Sequence, residues 1–196
     1  TVGIGIQDFD KIIEGNYFYV DKTSFIKEWW ENGDDVTLIT RPRRFGKTLN
    51  MSMLNRFFSL DFAGKGEIFE GLSIWKEEKY RNLQGTYPVI NLSFASIKET
   101  DFKTTQLRMI ELLQTLFERF SFLHQSDKLS ENEQNYVKSM TREMTAFEAS
   151  SALHRLSELL YKHYGKKVII LLDEYDTPMQ EAYVNGFWDD LVAFTR

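Results

Sequence analysis

Cysteine is absent from this chain of 196 residues. Without a thiol there is no disulfide, no thiolate metal site and no cysteine nucleophile. Histidine is nearly absent too. His124, His154 and His163 show no ligand spacing to an acidic partner, so imidazole offers no metal site. Proline occurs only at Pro42, Pro88 and Pro178, which excludes long proline-rich linkers. No apolar run approaches the roughly 20 residues that cross a bilayer. The opening TVGIGIQDFDK lacks a basic region followed by an apolar one, so it does not read as a signal peptide. The expectation is a cytoplasmic chain with no membrane partner. An excess of positive charge is also missing. Lys and Arg number 24 against 29 Asp and Glu, a net charge of −5, so nothing attracts nucleic acid or anionic lipid globally, while a local basic patch stays open.

What is present suits a folded domain. The chain is 42% hydrophobic and 15% aromatic, with 16 Phe, enough for one domain with a real core and too apolar for disorder. Neither a repeat nor a low-complexity segment appears. Residues 1–35 read as a preface: a β-like YFYV run, then a helix over about 24–31 capped by Asp21 or Thr23 and closed by Asn32-Gly33. Phe25, Ile26 and one of Trp29 and Trp30 face inward. Residues 36–196 read as the core, beginning with a short apolar strand, VTLIT, at 36–40. A helix follows, with Leu49, Met53 and Phe57 repeating every four residues. YPVINLSFA, 87–95, predicts a second strand. A long helix over about 102–123 carries Ile110, Leu113, Phe117 and Phe120 on one face, flanked by Leu107, Leu112 and Leu116. Ala149, Leu153, Leu156 and Leu160 line another helix. KVIILLDEYD then predicts a strand apolar on both faces, as in a parallel sheet. Strands alternating with helices predict an α/β fold with ligands at the carboxyl ends of the strands. The chain begins with Thr and ends on an unfinished helical pattern, GFWDDLVAFTR, so the expectation is a piece of a longer protein.

Two stretches carry chemistry. In TLITRPRRFGKTLNMSML, a strand pattern runs into Gly46-Lys47-Thr48 and then into a helix. A phosphate loop needs backbone N–H groups aimed at one phosphate, a helix N-terminus, a lysine for the outer phosphates and a hydroxyl for Mg²⁺. The candidate phosphate-binding residues are Arg43, Arg44, Phe45, Gly46, Lys47, Thr48 and Leu49. Arg41 stands where the motif G-x-x-x-x-G-K-[ST] has its first glycine, and Pro42 fixes φ and lacks an N–H. Arg43 and Arg44 could add charge-assisted bonds. The alternative is a basic turn into a buried helix. In VIILLDEYD, an apolar strand delivers Asp173, a carboxylate for Mg²⁺ opposite Thr48, and Glu174, a base for an attacking water. Asp176, Thr177 and Pro178 read as a helix start, with a ligand role as the alternative. Phe9, Ile12 or Tyr17 could cover a nucleotide base; capping alone explains Asp21 or Thr23.

Together YVDKT, RPRRFGKT and LLDEYDTPM resemble the AAA-ATPase-like family, bacterial P-loop proteins often followed by a restriction-endonuclease-like domain. That family's loop is similar to R-P-R-R-F-G-K-[ST], so Arg41 and Pro42 look like its usual form. The resemblance covers nearly the whole chain. It implies a P-loop NTPase three-layer sandwich with a mostly parallel sheet, here truncated at the C-terminus, and ATP with Mg²⁺ as ligands. By position it makes RPRRFGKT a Walker A loop and LLDEYD a Walker B strand. Lys47 and Thr48 then serve phosphate and Mg²⁺, Asp173 serves Mg²⁺, and Glu174, with Lys47, serves catalysis. The function implied is ATP hydrolysis coupled to a partner or a trailing effector domain, with nucleic acid reached through that domain and an oligomer permitted. A nucleotide-gated switch with negligible turnover is the second reading. A helicase, a small-molecule kinase and a nucleic-acid module using Arg41, Arg43 and Arg44 are weaker ones.

Overall fold

The aromatic residues of the first half decide its packing. Phe9 stacks on Phe69 at 5.2 Å between ring centres, and Phe57 meets both Phe58 and Phe69 edge-on at 5.0 and 5.3 Å. Edge-to-face rings at such spacings add attraction beyond the area they bury. The computed structural model describes residues 5–40 and 45–195. The chain divides into two units, Thr1–Val89 and Ile90–Arg196.

In the first unit, helix α1 (Phe9–Glu14) is followed by α2 (Ser24–Asn32), α3 (Lys47–Phe58) and the short α4 (Glu78–Arg81), with 3₁₀ turns between the last two. Asp8 caps α1 by accepting from the Lys11 N–H. Gly33 closes α2 at φ 66°, a left-handed position that glycine occupies without steric cost. Met53, Leu54, Phe57 and Phe58 form the buried face of α3. Trp29 and Trp30 are both half-buried, each against Phe58 at about 5.5 Å, rather than one inside and one out. The YFYV run and the VTLIT segment are not strands. Val36 and Leu38 are 87% and 62% exposed. An isolated extended segment has no ladder to hold it, so apolar composition alone does not make a strand.

In the second unit, β1 (Val89–Ser93, which begins one residue before the unit boundary) pairs with β2 (Ile169–Asp173) in a two-stranded parallel sheet. Around it lie α5 (Phe102–Arg119), α6 (Glu131–Met140), α7 (Ala146–Tyr164), α8 (Thr177–Asn185) and α9 (Trp188–Thr195). Ile90 and Leu92 of β1 share a core cluster with Leu113, Phe117 and Phe120, with Val137 and Met140, and with Ala152, Leu156 and Leu160. The long helix buries Met109 rather than Leu107, which is 52% exposed. Strand β2 alternates: Ile169, Leu171 and Asp173 are buried while Ile170 is 42% exposed. The expected burial of both faces is thus corrected, because full coverage requires layers on both sides of a sheet. The fold is mixed α/β, mostly helical, with a small parallel sheet.

Candidate functional site

Gly46 sits at φ 77° as the N-cap of α3, and no side chain caps the helix. A residue with a Cβ would pay about 1–2 kcal/mol for that left-handed backbone. The first-turn N–H groups have no partners within a helix, and the peptide dipoles add partial positive charge there. Lys47 and Thr48 are the first two residues of α3, half-buried like Leu49, and Phe45 before them is exposed. Arg41, Pro42, Arg43 and Arg44 lie outside the described residues. Such a helix start, with a lysine and a hydroxyl at its opening, can receive a phosphate.

The preface packs on α3. The Phe9 N–H donates to Ser52 Oγ at 2.9 Å, and Arg56 Nε donates to Asp10 Oδ1 at 2.9 Å. Phe9 and Ile12 are buried, and Tyr17 lies against Gly15. Phe9 and Ile12 are therefore core residues with no face for a nucleotide base. Thr23 occupies the N-cap of α2, but its side chain does not cap the helix. Its hydroxyl donates to Asp21 Oδ1 at 2.7 Å, lies 2.9 Å from Ser73 Oγ and accepts from the Ile74 N–H at 3.1 Å. Asp21 accepts from the Thr23 and Ser73 N–H groups at 2.9 and 2.7 Å. Burial raises the Asp21 carboxyl, but these hydrogen bonds outweigh it and hold the group below its usual range. Between the two pinned residues, the Lys22 ammonium lies 3.8 Å from where a Cβ on Gly46 would be. In the sequence, capping accounts for Asp21 or Thr23 and gives Lys22 no role. The approach of Lys22 to the loop glycine depends on contacts with residues 73 and 74 and has no local signature.

In the second unit, the Asp173 side chain is buried at the end of β2, and its backbone carbonyl accepts from the Phe94 N–H at 3.0 Å. Oδ1 of Asp173 accepts from the Glu174 N–H at 3.1 Å. Glu174 holds φ 52°, one of two non-glycine residues with positive φ among the described residues. Its Oε2 accepts from Thr177 Oγ1 at 3.1 Å, and the Glu174 carbonyl accepts the Thr177 N–H at 3.0 Å. A carboxylate-rich turn leaves the strand here, with backbone strain stored at Glu174. Asp176 is the N-cap of α8, with Pro178 in the first turn; its carboxylate accepts from Gln180 instead of capping. Among the described residues no cluster of three or more His, Asp or Glu could cage a metal. Asp173 offers one carboxylate, and Mg²⁺ often takes only one or two from a protein, completing its shell with water and phosphate oxygens. A carboxylate and a hydroxyl are each oxygen ligands of the kind Mg²⁺ takes, so Asp173 in the second unit and Thr48 in the first each suit that ion by chemistry. No helix among the described residues is long and apolar enough to cross a membrane.

The chain is 33% identical over 181 residues to an uncharacterized protein from the vnfD 5′ region of Azotobacter chroococcum mcd 1. The match covers 90% of this chain and 29% of that relative, so the chain spans under a third of its length. No solved structure matches. The family model described as "AAA-ATPase_like: Predicted AAA-ATPase" matches residues 3–196, and the chain belongs to that AAA-ATPase-like family.

Proposed function

We propose that this chain binds ATP with Mg²⁺ and hydrolyses it, as the nucleotide-handling part of a cytoplasmic P-loop ATPase built on the three-layer sandwich. The observation that carries the proposal is the start of α3, where the uncapped first turn follows a left-handed Gly46 and opens with Lys47 and Thr48. Membership of a predicted ATPase family supports the same reading. The first-turn N–H groups and Gly46 bind the phosphates, and the Lys47 ammonium takes the outer ones. Thr48 and Asp173 would hold Mg²⁺, which when bound neutralises phosphate charge. Glu174 orients the attacking water and accepts its proton. An effector domain elsewhere in the full protein, nucleic acid as its target and assembly into an oligomer complete the proposal; the greater length of the relative leaves room for such a domain.

Titration of the full-length protein with MgATP tests this. Lys47→Ala abolishes binding, whereas Glu174→Gln keeps ATP bound and slows turnover at least about 100-fold. Normal hydrolysis by Glu174→Gln removes Glu174 from the mechanism. One observation favours a nucleotide-gated switch instead: the Glu174 carboxylate is already engaged by Thr177 Oγ1. ATP binding with no phosphate release in a single-turnover experiment would select the switch.

A further inference from the structure

We propose that Lys22 is a second phosphate-binding cation, placed beside Gly46 to hold the polyphosphate of the nucleotide. The proposal rests on the nucleotide reading of the α3 start. It begins from a distance: the Lys22 ammonium is 3.8 Å from the position of a Cβ on Gly46. A phosphate cradled by the first-turn amides of α3 would lie within reach of that ammonium.

The backbone around Lys22 is fixed on both sides. Asp21 and Thr23 are tied to Ser73 and Ile74 through three contacts of 2.7–3.1 Å, and to each other by the Thr23 hydroxyl at 2.7 Å. Thr23 is 0% exposed. On the other side, the Lys22 N–H donates to the Tyr19 hydroxyl at 3.4 Å, and that hydroxyl lies 3.4 Å from Met53 Sδ of α3. Lys22 is thus carried, exposed, on a short turn pinned through the buried Thr23 and the hydrogen-bonded Asp21.

Charge supplies the second argument. Three cations of this unit have carboxylate partners: Lys27 with Glu77 at 2.6 Å, Lys79 with Glu31 at 2.7 Å and Arg56 with Asp10 at 2.9 Å. Lys22 has no ion pair or side-chain hydrogen bond among the described residues. The adjacent Asp21 carboxylate is occupied by Thr23 and Ser73. An unpaired ammonium beside the positive end of a helix is unfavourable by itself, since like charges meet there. An anion at that point reverses the sign of the interaction for the helix start and for the ammonium together. A nucleotide triphosphate carries several negative charges, and a compact ammonium on a flexible stem suits their changing positions.

Binding of MgATP to the full-length protein tests the proposal, using Lys22→Met, Lys22→Arg and Lys47→Ala in one series, each also melted without nucleotide. Lys22→Met is expected to lose about 10-fold or more in affinity, the worth of one charge-assisted hydrogen bond. Lys22→Arg is expected to keep most of it. Parent ATP affinity should fall more steeply with salt than that of Lys22→Met, because one screened attraction is gone. Because the side chain is exposed, the nucleotide-free melting temperatures should agree. Parent affinity and salt dependence in Lys22→Met, beside an inactive Lys47→Ala, overturn the role of Lys22 and leave the site standing. Equal losses in Lys22→Met and Lys22→Arg overturn it too, since charge would then not matter. Parent affinity in Lys47→Ala overturns the site itself.

Discussion

Glu174 joins two demands at one residue. Its backbone sits at φ 52°, and its side chain is engaged by Thr177. A non-glycine residue in that region costs on the order of 1 kcal/mol, and such positions gather where a side chain must be aimed. Stability and chemistry can be separated by two substitutions. Glycine removes the steric cost, although it loses about 0.5–1 kcal/mol through the freer unfolded chain. Glu174→Gly should therefore unfold in urea within about 1 kcal/mol of the parent while losing turnover. Valine, β-branched, resists positive φ, so Glu174→Val should lose about 2 kcal/mol or more. Equal unfolding midpoints for the two variants would refute a strained backbone at this turn. At this scale the sequence alone is enough to propose most residues of the candidate site. Lys47, Thr48, Asp173 and Glu174 stand in short motifs whose order needs no tertiary knowledge. Lys22 was not legible as part of it, because what brings it to Gly46 is a set of bonds to residues about fifty positions away.

Helices declare themselves through local chemistry, and strands do not. Helix α6 opens with a reciprocal pair, in which Ser130 Oγ accepts from the Glu133 N–H and the Glu133 carboxylate accepts from the Ser130 N–H. Thr145 and Glu148 do the same for α7. Four adjacent residues suffice for such a signal. The segments at 17–20 and 36–40 have strand composition but no strand, because a ladder requires a neighbour that composition does not specify. β1 and β2 were legible because their apolar runs also had a partner in each other. Glu133 further ties α6 to α7: its Oε1 pairs with Lys162 and lies 3.7 Å from Arg155. The Lys162 hydrogen bond foremost, then the Ser130 N–H, lowers the Glu133 carboxyl from 4.5 to about 2. A carboxyl acidified by folding stabilises the fold fully above its unfolded value near 4.5 and loses that contribution as pH falls toward 2. Lys162 and Arg155 are half-exposed, so solvent screening reduces the effect to about 1–2 kcal/mol. Glu133→Gln should cost that amount in urea unfolding at pH 7 and much less at pH 3. A penalty that grows on acidification would mean the pair does not carry it.

The whole molecule raises a question that neither scale answers: the proposed nucleotide residues come from both units. Lys47 and Thr48 belong to the first, Asp173 and Glu174 to the second. The sequence divides naturally after residue 35, where the preface ends, yet the contacts group that preface with α3 in a unit ending at Val89. Periodicity cannot reveal such a grouping, because it depends on which faces pack together. Ligand linkage can test whether the two sets of residues act on one nucleotide. A ligand that binds only the folded state at 100 times its Kd stabilises by about 2.7 kcal/mol. For a chain of this size, each kcal/mol moves the melting temperature by about 2–4 °C. Saturating MgATP should therefore raise the parent's melting temperature by about 5–10 °C. Lys47→Ala should show no shift. Asp173→Asn should show a reduced one that chelating Mg²⁺ does not diminish further, since the carboxylate and the ion act as one contact. If Asp173→Asn keeps the full parent shift, the nucleotide is held by the first unit's residues alone, and the roles assigned to Asp173 and Glu174 fall while that of Lys47 stands.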